Sequence, residues 1–412
     1  MNMVQVPHVS RRRFVTRSVV MAMLQSPLAR AAVLASAAVQ RRQFAYVGTY
    51  TGALGAGSNG EGIYLFEVDS STGRLSNRRL VARAQSPSWI TISPSRKYLY
   101  AANEVADYEG SHGSITAYGI DAVSGDLHRI NTVSSQGAGP AYIGLDATGS
   151  FAFIANYGDG SLAVVSVLPD GSLGLPIDVR RDAGSLGSDH ATDAPTGSFA
   201  VSGHDGAHVH MIAADPANRF VLAVDLGQDR VYSFHFNASS GKLSTNQTMP
   251  YVSLPSGDGP RHFAFHPNGR WLYTVQEESS TVVCFHYDPD TGSLTPVQTL
   301  STLPAGFSGT SFASEILISP DGRFLYVGNR LHDSIAVIAI GSGGKMSYVA
   351  DTPTHGDYPA QCRIDPSGRF FYACNRRSDS ITVLRVNRNT GLLTFTGQYA
   401  AVGSPASITF LG

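Results

Sequence analysis

Cysteine is scarce in this chain of 412 residues, and so is any excess of charge. Three cysteines (Cys284, Cys362, Cys374) are too few for a disulfide framework, and their spacings fit no zinc-binding pattern. Buried thiols are expected, with Cys362 and Cys374 unpaired. A net charge of −1 offers no basic surface to a nucleic acid. Charged residues make up only 15% of the chain, so long Glu/Lys-rich helices are absent. No G-x-S-x-G, Walker or H-E-x-x-H sequence occurs, which leaves serine-hydrolase, nucleotide and zincin chemistry without support. No cofactor or metal is indicated.

A clean apolar run of about 18 residues, the length of a membrane span, is missing too. The nearest approach is "VVMAMLQSPLARAAVLASAAV", which Pro27 and Arg30 interrupt. Paired arginines precede it in "SRRRFVTRS", and Ala35-Ser36-Ala37 offers small residues for cleavage. Residues 1–37 therefore read as a twin-arginine export signal rather than an anchor, with a periplasmic or other extracytoplasmic destination. Its removal takes five arginines and no acid, turning a net charge of −1 into −6.

Glycine is abundant (43 residues, with 21 prolines), and it recurs in register. Six copies of a turn followed by an aromatic-rich strand align: "SPSRKYLYAANE" (93–104), "DATGSFAFIANY" (146–157), "DPANRFVLAVDL" (215–226), "HPNGRWLYTVQE" (266–277), "SPDGRFLYVGNR" (319–330) and "DPSGRFFYACNR" (365–376). Each copy follows a short apolar segment and precedes an alternating strand such as "STVVCFHYD", and a "TG-x-L" turn closes several units. Period-two alternation bounded by Gly, Pro and Asp marks strands joined by tight hairpins. A four-stranded antiparallel unit of about 50 residues has the period of a propeller blade. A seventh copy is split: "FAYVGTYT" (44–51) supplies a second strand and "GSPASITFLG" (403–412) a first. The reading is an all-β, seven-bladed propeller over residues 42–412, closed by its terminal strands in one blade, which leaves no long free sheet edge. A monomer is expected for that reason.

Departures from the repeat mark candidate functional positions. Six residues before the turn proline or its equivalent stand Ser88, Ala141, His210, Arg261, Ser314, Ala360 and Ala406. Ten residues after it stand Tyr50, Glu104, Tyr157, Leu226, Glu277, Arg330 and Arg376. A hairpin brings these two positions to the same mouth of the central channel. His210, Arg261, Glu277 and Arg330 should therefore converge from three consecutive blades as the catalytic candidates. His208, Glu104, Glu315 and Arg376 are the substrate-binding candidates around them. An ion-pair network tying the blades together is the structural alternative, since Arg261 and Glu277 share a blade. His208 and His210 form a His-x-His too isolated to specify a metal. The 69-residue spacing before the third copy reflects an insertion, "DAGSLGSDHATDAPTGSFAVSGHDG" (182–206), long enough to cover the mouth as a loop.

The stretches "FAYVGTYT", "HVHMIAADP", "GPRHFAFHPNGRWLYTVQE", "SEILISPDGRFLYVGNR" and "DSITVLRVN" together resemble the seven-bladed lactonase family. That family includes bacterial 6-phosphogluconolactonases and is related to fungal carboxy-cis,cis-muconate cyclase. The resemblance spans residues 44–412. It implies lactone hydrolysis, and by motif it points to His210, Arg261, Glu277 and Arg330 as the site set. In a hydrolase the arginines would polarise the ester carbonyl or anchor an anionic group, while Glu277 or His210 deprotonates water. In a muconate-type cycloisomerase the same arginines would grip carboxylates. A non-catalytic binding platform is the third reading, because a fold alone implies no chemistry.

Overall fold

The repeated turns fold as hairpins because their first residue caps them. In the copy beginning at Ser319, Gly322 N–H donates to Ser319 O (2.8 Å), and the Ser319 hydroxyl accepts from Phe324 N (3.0 Å). Asp365 does the same, its Oδ1 accepting from Arg369 N (2.9 Å) and Phe370 N (2.8 Å). A short polar side chain at this position satisfies backbone donors that the tight turn strands.

The computed structural model describes residues 43–52 and 58–412; the export signal read at 1–37 lies outside them. From Gln43 onward the chain forms seven antiparallel sheets. Blade 1 joins the two ends of the chain: Pro405–Leu411 is its innermost strand and pairs with Gln43–Thr49, followed by Gly62–Val68 and Leu75–Arg83. Blades 2 to 7 start at the inner strands Pro87–Ile92, Pro140–Leu145, Val209–Ala214, Pro260–Phe265, Phe312–Ile318 and Pro359–Ile364. Each of these touches the next, and the ring closes on Pro405–Leu411. The seven-bladed propeller read from the repeat is the fold observed. Among the described residues, only blade 4 departs from four simple strands: its outer edge is broken into Leu243–Thr245 and Tyr251–Ser253, both paired with Arg230–Phe236.

Alternation explains how the blades stack, because successive side chains of a strand point to opposite faces. In Gln43–Thr49, Ala45 and Val47 pack with Phe370 and Tyr372 of blade 7, while Phe44 and Tyr46 pack with Ile90 and Leu99 of blade 2. Seven such clusters fill the seven gaps between blades. Each gap carries the same fitting. A turn glycine with positive φ receives an aromatic ring from the preceding blade, as Gly73 (φ +75) receives Phe370, whose ring lies 2.5 Å from where a Cβ would sit. Any side chain there would displace the ring and strain the backbone. In five gaps a buried tyrosine also donates to such a glycine's carbonyl, from Tyr46 to Gly125 through Tyr372 to Gly73.

Candidate active site

The innermost strands are not regular at the positions singled out by the repeat. In every blade the register between first and second strand shifts there, for example between Pro260 and His262 in blade 5 and between Val209 and Met211 in blade 4. The extra residue of a β-bulge is re-aimed out of the ladder. The bulged residues are the small Ser88, Ala141, Ala360 and Ala406 in four blades, whereas in blades 4 and 5 they are His210 and Arg261. All six line one cavity of about 250 Å³ at one end of the channel. Glu277 and Arg330, at the ends of the returning strands, reach the same space.

Glu277 holds the centre. Its Oε2 lies 3.0 Å from Arg261 Nε and 2.6 Å from Arg330 of the next blade. The three side chains are nearly buried, at 7%, 12% and 10% exposure, so the pairs are largely shielded from solvent. Backbone carbonyls fix the guanidiniums further: Arg261 donates to Ser314 O (2.9 Å), and Arg330 donates to Ala313 O (3.0 Å) and Phe312 O (3.3 Å). Burial and the neighbouring Arg330 lower the Arg261 pKa despite Glu277. Burial lowers that of Arg330 as well, but the Glu277 carboxylate together with Tyr358 and Tyr50 holds the net shift upward. The ion-pair network foreseen as the structural alternative therefore exists, and it forms the wall of a cavity.

His210 stands beside this triad as a neutral base. Burial, then Arg261 and His262, push its pKa well below the usual 6.5, and its Nδ1 has no hydrogen-bond partner among the described residues. Its ring meets His262 edge-on at 4.9 Å and Tyr157 at 5.3 Å. Glu104 completes the polar lining, accepting from Tyr50 Oη at 3.0 Å. Burial raises the Glu104 pKa against the opposing pull of its hydrogen bonds and of Arg376.

Three of the eight positions singled out in the sequence do not line this cavity. His208 stacks on the outer face of the site through Tyr157 (4.6 Å) and bonds to Tyr157 O (2.7 Å) and Asp205 (2.8 Å). It thus props Tyr157 instead of facing the channel beside His210. Among the described residues no group of three or more His, Cys, Asp or Glu is arranged to hold a metal ion. Arg376 stacks behind Tyr50, its guanidinium carbon 3.9 Å from the ring centre. Glu315 directly follows Ser314, near the strand irregularity of blade 6, and opens into a different cavity at the other end of the channel.

Several lining residues had not been singled out. Tyr50, Trp89, Tyr157, Gln361 and Ser202 all face the cavity. The residue after each bulge is large in six blades (Trp89, Tyr142, Met211, His262, Glu315, Gln361), a pattern present in the alignment but hidden by an assumption of strict alternation. Ser202 comes from the insertion. That segment crosses blades 4 to 6: Gly309 N donates to Thr196 O (2.9 Å), and Ser202 N and Oγ both donate to Glu278 Oε1 (2.6 Å). Buried His204 lies 3.3 Å from both Glu278 and Asp229. Burial opposes its protonation, but the hydrogen bonds to the two carboxylates prevail and push its pKa up to about 10. The expected covering loop is thus clamped by a charged histidine, and Tyr157 Oη donates to its Ser202 O (3.2 Å).

The sequence profile of the family "Lactonase, 7-bladed beta-propeller" matches residues 44–410. The chain belongs to this lactonase family. A relative from Bacillus subtilis named 6-phosphogluconolactonase is 32% identical over 367 residues, covering 89% of this chain and 97% of the relative. A second 6-phosphogluconolactonase, from Formosa agariphila, is 30% identical over 305 residues, 73% of this chain and 81% of that one. Among solved structures, the periplasmic gluconolactonase of Pseudomonas aeruginosa superposes with a TM-score of 0.79 at 30% identity, covering 90% of this chain and 99% of the other. Within the lactonase fold, the small bulged residues open the mouth and the large ones arm it.

Proposed function

We propose that the protein hydrolyses a sugar lactone in the channel-mouth cavity to which blades 4, 5 and 6 contribute His210, Arg261, Glu277 and Arg330. The observation that carries this reading is a neutral imidazole placed beside a shielded Arg–Glu–Arg triad in one cavity. His210 takes the proton of the attacking water; a depressed pKa keeps it in the basic form at neutral pH. Charge then builds on the carbonyl oxygen, where preorganised guanidinium donors from Arg261 and Arg330 stabilise it by a few kcal/mol each, on the order of magnitude of oxyanion donors elsewhere. Both pairs of Glu277 fall on Oε2, leaving Oε1 for a substrate hydroxyl. Tyr50, Tyr157 and Glu104 supply further hydrogen-bonding groups to a hydroxylated ring.

One net positive charge remains in the triad, and its guanidiniums already serve backbone carbonyls. That suits a neutral or singly charged aldonolactone better than a phosphomonoester. The likeness to a periplasmic gluconolactonase and the export signal read at 1–37 agree with that preference. On this reading the protein works outside the cytoplasm as a monomer on a diffusible small molecule. The test is pH-stat hydrolysis of glucono-δ-lactone, 6-phosphogluconolactone and uncharged alkyl lactones, each measured above its spontaneous rate. Glucono-δ-lactone should be the best substrate; equal inertness of all the lactones would remove the proposal.

A further inference from the structure

The channel has a second cavity, of about 300 Å³, at the end opposite the site. Trp89 lines both spaces and stands between them. The second cavity is walled by apolar side chains, Tyr142, Met211, Phe263 and Phe265 among them, yet two charged residues open into it. Glu315 is 5% exposed, and its Oε2 has no hydrogen-bond partner among the described residues. Arg261, Arg363 and the Ile316 backbone act on the carboxylate, and His262 Nδ1 lies 3.4 Å from Oε2, on an imidazole that burial, Arg261 and Arg330 keep neutral. Arg363, half-buried on the neighbouring inner strand, makes no hydrogen bond or ion pair among the described residues and does not reach Glu315.

The buried Glu315 carboxyl keeps its Oε2 without a hydrogen bond, and the half-buried Arg363 guanidinium, whose charge it feels, shares its largely apolar cavity without a hydrogen bond or ion pair, an arrangement that costs free energy unless something bridges the two. A simple anion would meet Glu315, a simple cation would meet Arg363, and an apolar molecule would leave both unsatisfied. A molecule bearing both charges satisfies both. We propose that this cavity binds a small zwitterion with an apolar body, an apolar α-amino acid being the simplest of the class, with its ammonium on Glu315, its carboxylate on Arg363 and its side chain against Met211, Phe263 and Phe265. The size lies at the lower end of cavities that hold small ligands. Burial pushes the Glu315 pKa up to about 7, which an ammonium partner would reverse, so binding near neutral pH should release protons. The site is separate from the lactone cavity and does not depend on the reading given to it.

Titration calorimetry of the full chain tests this with phenylalanine and leucine, beside phenylalanine methyl ester and N-acetylphenylalanine. Saturable binding of one amino acid per chain is expected, weakened by about tenfold or more when either charge of the ligand is blocked. Arg363→Gln and Glu315→Gln should each weaken the free amino acid by a similar factor, with thermal unfolding confirming that the variants fold. If Glu315→Gln does not fold, Arg363→Gln and the blocked ligands still decide. No saturation up to about 10 mM, or equal binding of the ester and acetyl derivatives, overturns the assignment. So does binding that Arg363→Gln leaves unchanged.

Discussion

Replacing Glu277 by glutamine removes one charge and almost no volume, yet two guanidiniums lose their counter-ion. Arg261 and Arg330 both lie on Oε2, at 3.0 and 2.6 Å, and all three side chains are about nine-tenths buried. Removing one partner of a fully buried pair costs about 3–5 kcal/mol. The amide oxygen still accepts from one arginine, and the cavity admits solvent, so roughly 2–3 kcal/mol is the expected loss. Unfolding entropy of about 2.1 cal/mol/K per residue over the propeller gives ~0.8 kcal/mol/K, so calorimetry should record a Tm lower by roughly 3 °C. Lactone hydrolysis should fall by about 10²–10³ as the arginines lose their alignment. The decisive comparison is Glu277→Gln with Arg330→Gln added. Relieving the unbalanced charge should recover most of the stability and none of the activity. A double variant that regains activity would refute the catalytic assignment and leave the triad as a tie between blades 5 and 6.

Other outcomes follow from the same structure. With its pKa below 6.5, His210 stays deprotonated to lower pH than an exposed histidine, so kcat/KM for glucono-δ-lactone should be flat from about pH 6 to 8 and fall only in more acid solution; His210→Asn should abolish that acid limb together with most of the rate. The unfolded chain protonates His210 and His262 near pH 6.5 while the fold resists, so their contribution to stability is present above that pH and lost as pH falls below it, measurable as a dropping Tm. His204 has the opposite sign: its clamp is fully present below pH 6.5 and is lost as pH rises through about 10, where proteolysis within 182–203 should accelerate. Tyr372→Phe leaves the Gly73 carbonyl without its 2.7 Å donor and should cost about 1–2 kcal/mol, with unchanged kcat. Cys362 and Cys374 are free and buried, and burial raises both thiols, so neither should react with a thiol reagent until the protein unfolds.

The fold was legible because its signals are local and repeated: a capped turn, a strand of alternating faces and a glycine that admits a ring, seven times over. Arg261, Glu277 and Arg330 were legible as breaks in that repetition, and so was His210. His208 and Glu315 were placed less well, for one physical reason. A bulge puts two consecutive residues on the channel side and disturbs the parity that decides which face a neighbour takes. His208 therefore ends behind Tyr157, and Glu315 at the far cavity. The insertion was visible as extra length, but nothing local announced that His204 would clamp it across a gap of 74 residues to Glu278.

The inner strand of blade 1 is made after all six of the other blades. Pro405–Leu411 closes the ring, and its Ala406 forms part of the site wall. A ribosome that has finished six blades has therefore produced no working cavity. The proposed activity can appear only after Pro405–Leu411 has left the exit tunnel and slid into the gap beside Gln43–Thr49. For a chain whose proposed export route carries folded cargo, this makes catalysis report on completed assembly. Deleting Pro405–Leu411 should silence lactone hydrolysis as thoroughly as His210→Asn does.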